Sequence, residues 1–289
     1  MSTRTKAEAF LVVVTAIWGC TFVVVKGALA DASPLPFLAV RFMLAGLLLL
    51  AILGRGRVER KTIIPGSILG LFLFAGYVFQ TWGLIYTTPS KSAFLTGFSV
   101  ILVPLLMMLF GFRVGPVTLL GGVLGLLGIY LLVAPSGMAT VNRGDMLTLA
   151  GSFSFAVHIV LVGRYTRKFS FLHLVPVQIL VVGLLSLVAL SIVPGQTLHL
   201  TGRLAVAILV TAVLATGVAF SVQNWAQQYT PASHTALIFA LEPVFAALFS
   251  RLVMGEHLGG RVLLGSGLIL AGMIVSEIWG GSLPSPVEG

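Results

Sequence analysis

The chain has 289 residues, 58% of them hydrophobic and 9% charged, with a mean hydropathy of +1.09. A soluble domain carries roughly 25% charged residues, so this composition excludes a water-soluble globular fold and marks an integral membrane protein. A net charge of +9 without a long basic run does not call for nucleic acid, and the single cysteine, Cys20, allows neither a disulfide framework nor a cysteine-based metal site.

Runs of about 20 apolar residues predict ten membrane helices, at 9–27, 35–54, 63–86, 90–112, 116–134, 145–163, 171–193, 204–228, 232–254 and 261–280. Arg4 and Lys6 precede the first run, and Ala28-Leu29-Ala30 has the small residues of a signal cleavage site. However, Phe10 to Val25 exceeds a usual signal core and Lys26 interrupts it, so the run is read as a retained helix. Pro, Gly or charge marks the breaks, as at Ser33-Pro34, 55–61 and Ala134-Pro135-Ser136-Gly137. The Gly/Pro/Ser-rich tail, 281–289, is expected to be disordered.

The pattern repeats. Gln80-x-Trp82-x-x-x-Tyr86-Thr87-Thr88-Pro89 recurs as Gln223-x-Trp225-x-x-x-Tyr229-Thr230-Pro231, 143 residues on (223 minus 80). Arg41-x4-Gly46 matches Gln178-x4-Gly183, Gly121-x6-Gly128 matches Gly265-x6-Gly272, and the Pro104–Phe110 segment matches Pro243–Phe249. That last match leaves five extra residues before the second Gly pair (22 against 17). The expected fold is therefore an all-α integral membrane protein of ten transmembrane helices, built as two five-helix repeats over 8–134 and 144–280. An odd number of spans per block forces the second to insert upside down, and inverted repeats are a common architecture for alternating-access transporters.

Lys and Arg placement orients the chain. With the N-terminus inside, cytoplasmic segments carry ten (Arg4, Lys6, Arg55, Arg57, Arg60, Lys61, Arg113, Arg164, Arg167 and Lys168) against six outside (Lys26, Lys91, Arg143, Arg203, Arg251 and Arg261). The bias predicts two cytoplasmic termini.

Several stretches, taken in order, resemble the EamA-type family of the drug/metabolite transporter superfamily. They are Trp18-Gly19-Cys20-Thr21-Phe22 followed by Lys26, Ala39-Val40-Arg41-Phe42, Lys91-Ser92-Ala93-Phe94-Leu95-Thr96-Gly97, Leu241-Glu242-Pro243-Val244-Phe245-Ala246-Ala247, and Gly255-Glu256 with Gly265 to Gly272. The resemblance spans about residues 8 to 280. It implies a central cavity lined mainly by the first, third, fourth, sixth, eighth and ninth helices. It also implies export of small metabolites, often amino acids, through a bacterial inner membrane. Two departures make the halves unequal: Phe155-Ala156 stands where the first helix has Trp18-Gly19, and the first half lacks the Gly-Glu pair.

Within that frame the candidate substrate-binding residues are Trp18, Thr21, Phe22, Lys26, Tyr77, Gln80, Lys91, Phe94, Phe155, His158, Gln223 and Gln227. Gln223 and Gln227 share a face at 100° per residue with Phe220. Amides donate and accept together, which suits zwitterionic or polar solutes, although they also bond between packed membrane helices. Gln227, near a helix end, is expected to meet interfacial water. Aromatic walls with a few amides describe a cavity for amphipathic solutes. Lys26 and Lys91 would attract a carboxylate at an outer gate or snorkel to water.

Three ionisable groups fall at mid-membrane depth, where they must face protein or water: Arg41, His158 and Glu242. Glu242 with Pro243 reads either as a proton-coupling acid or as a structural group, ion-paired with Arg41 or capping a kink. His158 reads as a relay or as a neutral hydrogen-bonded ring. Gly66-x3-Gly70 and Gly121-x3-Gly125 permit close helix packing or a homodimer.

No nucleotide-binding, metalloprotease or hydrolase motif is present, so neither ATP hydrolysis nor an enzyme is expected, and no cofactor or metal. The expected partners are a small solute and the bilayer. A nucleotide-sugar substrate would ask for several cavity cations to meet phosphates, and only Lys26, Arg41 and Lys91 are available, so it ranks below zwitterionic or neutral solutes.

Overall fold

A computed structural model describes residues 2–53, 58–112, 114–133, 142–254 and 260–279. The expected tail at 281–289, the Gly255-Glu256 pair, the break at 134–137 and the side chain of Lys91 lie outside the described residues. The helices are α1 (Thr3–Ala28), α2 (Pro34–Ile52), α3 (Arg60–Tyr86), α4 (Pro89–Thr96), α5 (Ser99–Leu109), α6 (Pro116–Val133), α7 (Arg143–Tyr165) and α8 (Phe171–Ile192). There follow α9 (Gly202–Val210), a π-helical segment (Thr211–Val218), α10 (Ala219–Ala226), α11 (Ala232–Phe239), α12 (Glu242–Met254) and α13 (Gly260–Trp279). Eight segments of the described residues are long and apolar enough to cross a membrane; α4–α5, α9–α10 and α11–α12 each count as one.

Local chemistry explains the helix starts. The Ser2 hydroxyl accepts from Thr5 N, the Thr201 hydroxyl accepts from Leu204 N, and Asn142 and Asp145 form a reciprocal capping box. Each satisfies backbone donors that the helix itself leaves open. The interruption expected at Pro243 falls just before it. Pro243 is the second residue of α12, where a missing N–H costs nothing, and the chain turns just before it, at Ala240 and Leu241. A matching turn at Gly97 and Phe98 separates α4 from α5.

Two antiparallel helix pairs frame the molecule, and each crosses through glycines. In α2 and α8, a Cβ at Gly46 would lie 2.7 Å from the Leu180 side chain, and one at Gly183 would lie 2.7 Å from Met43 Sδ. In α6 and α13, a Cβ at Gly121 would lie 2.7 Å from the Gly272 carbonyl oxygen, while Gly128 faces Gly265. Only a hydrogen at these positions lets the two backbones approach so closely. Gly66 and Gly70 are also used inside the chain, against Val177 and Val181 of α8.

Two ties close the ends. Asp31, between α1 and α2, accepts from Thr201 Oγ1 (2.8 Å) and from Arg203 Nε and Nη2 (3.0 and 2.9 Å). Backbone bonds run beside it, from Ser33 N to Thr197 O and from His199 N to Asp31 O. The Asp31 carboxyl is held below its ordinary range, first by the Thr201 hydroxyl and then by Arg203. At the other end of α1, Arg4 bonds Glu8 and reaches His234 Nδ1 at the start of α11.

Candidate substrate chamber

α1, α2, α3, α7 and α10 and the turns at 97–98 and 240–241 surround a central chamber of about 80 Å³. That is several times the 10–15 Å³ a single water needs, so this is more than a packing void. Of the predicted site residues, Trp18, Thr21, Phe22, Arg41, Tyr77, Gln80, Phe155, His158, Gln223 and Glu242 line it.

The aromatic residues hold one another in place. Trp18 lies 5.4 Å from Phe220 and 5.0 Å from Phe239, both tilted or edge-on. Its indole nitrogen donates to the Ala215 carbonyl (2.8 Å) in the π-helical segment. π-helical turns leave backbone carbonyls free of their usual partners and often occur at functional sites. Tyr77 packs edge-on to Phe42, Phe155 and Phe220.

Arg41, 3% exposed, donates from Nε to Thr216 Oγ1 (2.9 Å) and from Nη2 to the Tyr77 hydroxyl (3.4 Å). Its guanidinium lies 4.9 Å above the Tyr77 ring and 5.0 Å from that of Phe42. The ion pair with Glu242 that the sequence offered does not form. Arg41 turns to hydroxyls and π faces, and Glu242 has no hydrogen-bond or ion-pair partner among the described residues.

A directed chain fixes His158. The Phe220 carbonyl can only accept, so the Asn224 amide nitrogen faces it (2.9 Å) and Asn224 Oδ1 faces Gln178 Nε2 (3.1 Å). Gln178 Oε1 then points at His158 Nε2 (2.7 Å), which must donate. A neutral ring so held carries its proton on Nε2 and leaves Nδ1 as an acceptor.

Three predicted residues sit elsewhere. Lys26 turns away from the chamber and donates to the carbonyls of Leu84, Ile85 and Thr87, closing the C-terminal end of α3 where a cation meets the dipole favourably. Phe94 packs edge-on to Phe98 (5.4 Å) in a separate apolar cluster with Ile129, Leu237 and Ile269. Gln227 is fully buried rather than at an interface: Nε2 donates to the Ile159 carbonyl (2.9 Å) and Oε1 accepts from Gln223. Lys91 belongs to α4, but its side chain is outside the described residues.

The sequence reading missed Thr96, Ser99, Ile159 and Phe239, all of which line the chamber. The repeat spacing would have found them. Trp18 with Phe155, Thr21 with His158, and Phe22 with Ile159 are each 137 residues apart (158 minus 21). Tyr77 with Phe220, Gln80 with Gln223, Thr96 with Phe239, and Ser99 with Glu242 are each 143 apart (242 minus 99). Matching Pro104 to Pro243, 139 apart, slid the alignment by four residues, about one turn, and gave Glu242 an apolar mate. The two helix turns instead put Ser99 and Glu242 at the same place, each opening a helix. The supposed five-residue insertion shrinks to one, since Gly121 and Gly265 are 144 apart.

Apolar helices around an internal, partly polar chamber define a polytopic membrane protein. The EamA-like transporter family matches residues 5–134 and 142–277, and the chain belongs to that family of membrane transporters. An uncharacterized transporter of Archaeoglobus fulgidus is 36% identical over 276 residues, covering 95% of this chain and 87% of that one. The Escherichia coli inner membrane transporter YedA is 29% identical over 275 residues, covering 91% and 86%. A solved crystal structure superposes with a TM-score of 0.79 over 96% of this chain and 99% of that one; at 18% identity the likeness is one of fold.

Proposed function

We propose that the chain is a secondary transporter that exports amino acids or similar small zwitterionic or neutral solutes across a bacterial inner membrane, by alternating access around the central chamber. In this reading α6 and α13, of 18 and 20 residues, complete ten spans in two inverted five-span repeats, with both termini cytoplasmic. The observation that carries it is the pairing of lining positions at two constant spacings, so that both halves contribute equivalent helices to one chamber. The reciprocal glycine crossings support it as well: Gly46 meets Leu180 while its mate Gly183 meets Met43, the mate of Leu180. Such reciprocity is what a two-fold axis lying in the membrane plane produces. Among the described residues Arg41 is the one Lys or Arg that lines the chamber, which disfavours a nucleotide-sugar substrate with its several phosphate charges.

Counterflow in proteoliposomes with a solute panel tests the reading. Gln223→Ala and Trp18→Ala are expected to lower flux by about tenfold, the effect of losing roughly 1.4 kcal/mol of solute binding, with expression intact. Wild-type flux in both would refute the assignment of the chamber.

A further inference from the structure

The hydrogen-bonding inventory of the chamber is lopsided. Most lining N–H groups already have protein acceptors: Trp18 on Ala215, Gln80 on Thr96, Gln223 on Gln227, His158 on Gln178, and Arg41 Nε on Thr216. The acceptors are different. Gln223, 1% exposed, has its Oε1 buried with no partner, and the Glu242 carboxyl, 8% exposed, has none among the described residues. A buried oxygen without a donor costs free energy until something supplies one.

Both acceptors line the chamber, and the elements that carry them meet at Trp18. Gln223 lies one turn beyond Phe220 on α10, and Glu242 lies three residues beyond Phe239 across the turn into α12. The Trp18 ring contacts both phenyl rings, and neighbouring Gly19 abuts the Glu242 backbone, where a Cβ would lie 2.6 Å from the carbonyl oxygen. Aromatic faces, an amide oxygen and a carboxylate all attract a group that is cationic and rich in N–H. Hydroxyl solutes would satisfy the oxygens but gain nothing from the carboxylate's charge, and anions would be repelled by it.

We propose that this part of the chamber is an ammonium subsite: Glu242 and Gln223 Oε1 receive the protonated amino group of the substrate, inside a box formed by Trp18, Phe220 and Phe239. The proposal rests on the transporter reading of the same chamber and specifies which end of the solute meets which wall. Arg41 Nη1, which has no acceptor among the described residues, is left for the opposite, anionic end of a zwitterion.

Binding to the purified full chain in nanodiscs, followed by calorimetry, tests it with four ring-matched probes: 2-phenylethylamine, phenylalanine, 3-phenylpropanoate and 2-phenylethanol. The amine and the amino acid are expected to bind at least about tenfold more tightly than the acid and the alcohol, as one buried charge pair dictates. Glu242→Gln should remove that preference. Gln223→Leu should weaken the amine by more than it weakens the alcohol, since a hydrogen bond from a charged donor is the stronger one. The ranking in the unaltered protein needs no variant, so it stands even if Glu242→Gln fails to fold. Propanoate binding as tightly as the amine, a retained preference in Glu242→Gln, or no binding of any probe at millimolar concentration would overturn the subsite. Counterflow separates the two claims. Solute flux without amine preference removes the subsite and keeps the transporter, whereas amine binding without flux of any solute does the reverse.

Discussion

Seven pairs of equivalent positions line the chamber, and the two halves treat them differently. Where the first half places Thr21, Thr96 and Ser99, the second places His158, Phe239 and Glu242. The glycine crossings outside the chamber show no such divergence: Gly46 and Gly183 serve α2 and α8 alike, as Gly128 and Gly272 serve α6 and α13. Even the shared glutamine differs in circumstance. Gln80 donates to Thr96 across to α4, while Gln223 bonds along its own helix and leaves an oxygen bare. Backbone approach admits one solution, glycine, in both copies. The chamber walls carry no such constraint, and there the two halves differ.

The comparison breaks most visibly at the scaffold. Gly128→Leu and Gly272→Leu each drive a side chain into a backbone carbonyl, 2.5 and 2.6 Å from where a Cβ would sit. Overpacking against a backbone that cannot rotate aside costs about 3 kcal/mol or more. Both variants should lose most of their monodisperse protein in fluorescence-detected size exclusion, and to a similar degree. Full yield from either would show that the crossing is loose and its symmetry incidental.

A smaller effect sharpens the contrast inside the chamber. Gln223→Leu is expected to lower solute flux by about tenfold and Gln80→Leu by no more than about threefold, because the bare Gln223 oxygen is buried, whereas Gln80 is half-buried and its oxygen is less starved of donors. Equal losses would mean that the two halves present the solute with equivalent walls. Below these comes Thr216→Val, which strips Arg41 Nε of its acceptor in a buried site. Its cost should be about 1–3 kcal/mol, visible as a lower melting temperature of the purified protein with its oligomeric state unchanged.

Much of the architecture was legible in the sequence because lipid imposes one rule: every span must be a long apolar helix. Runs near 20 residues therefore located the eight segments long enough to cross a membrane, and Gln80 and Gln223, together with Trp18 and Phe155, line one chamber as the repeat led one to expect. The errors lie with long side chains. Lys26 and Gln227 have enough reach to find backbone carbonyls, and a pattern of residue types does not say which carbonyl is nearest. Phe94 failed for a related reason, since a helix of eight residues ending in a turn does not keep the face that a straight span would show. Thr96, Ser99 and Phe239 stayed hidden because a proline match outweighed the spacing set by the glutamines. Proline marks a helix's first turn as readily as its interior, so it aligns copies poorly.

The weakest contrast is between the chamber and the tie at the end of α1. Asp31 is a half-buried acid with three donors, while Glu242 is a buried one with none among the described residues. The carboxyl of Asp31 is depressed by the Thr201 hydroxyl and Arg203, so the folded form prefers it ionised. The sign follows: its contribution is fully present above the unfolded value of about 4 and disappears as pH falls through the lower folded value. Water and salt screen such a site, so the effect should be local rather than global. Asp31→Asn at neutral pH should speed amide exchange at Thr197 and His199, which bond to the Asp31–Ser33 strand, and acidification of the unaltered protein should do the same. Helix amides around the chamber should keep their protection in both experiments. Unchanged exchange at Thr197 and His199 would mean that the backbone bonds hold the tie alone, and that Asp31 adds charge there without adding order.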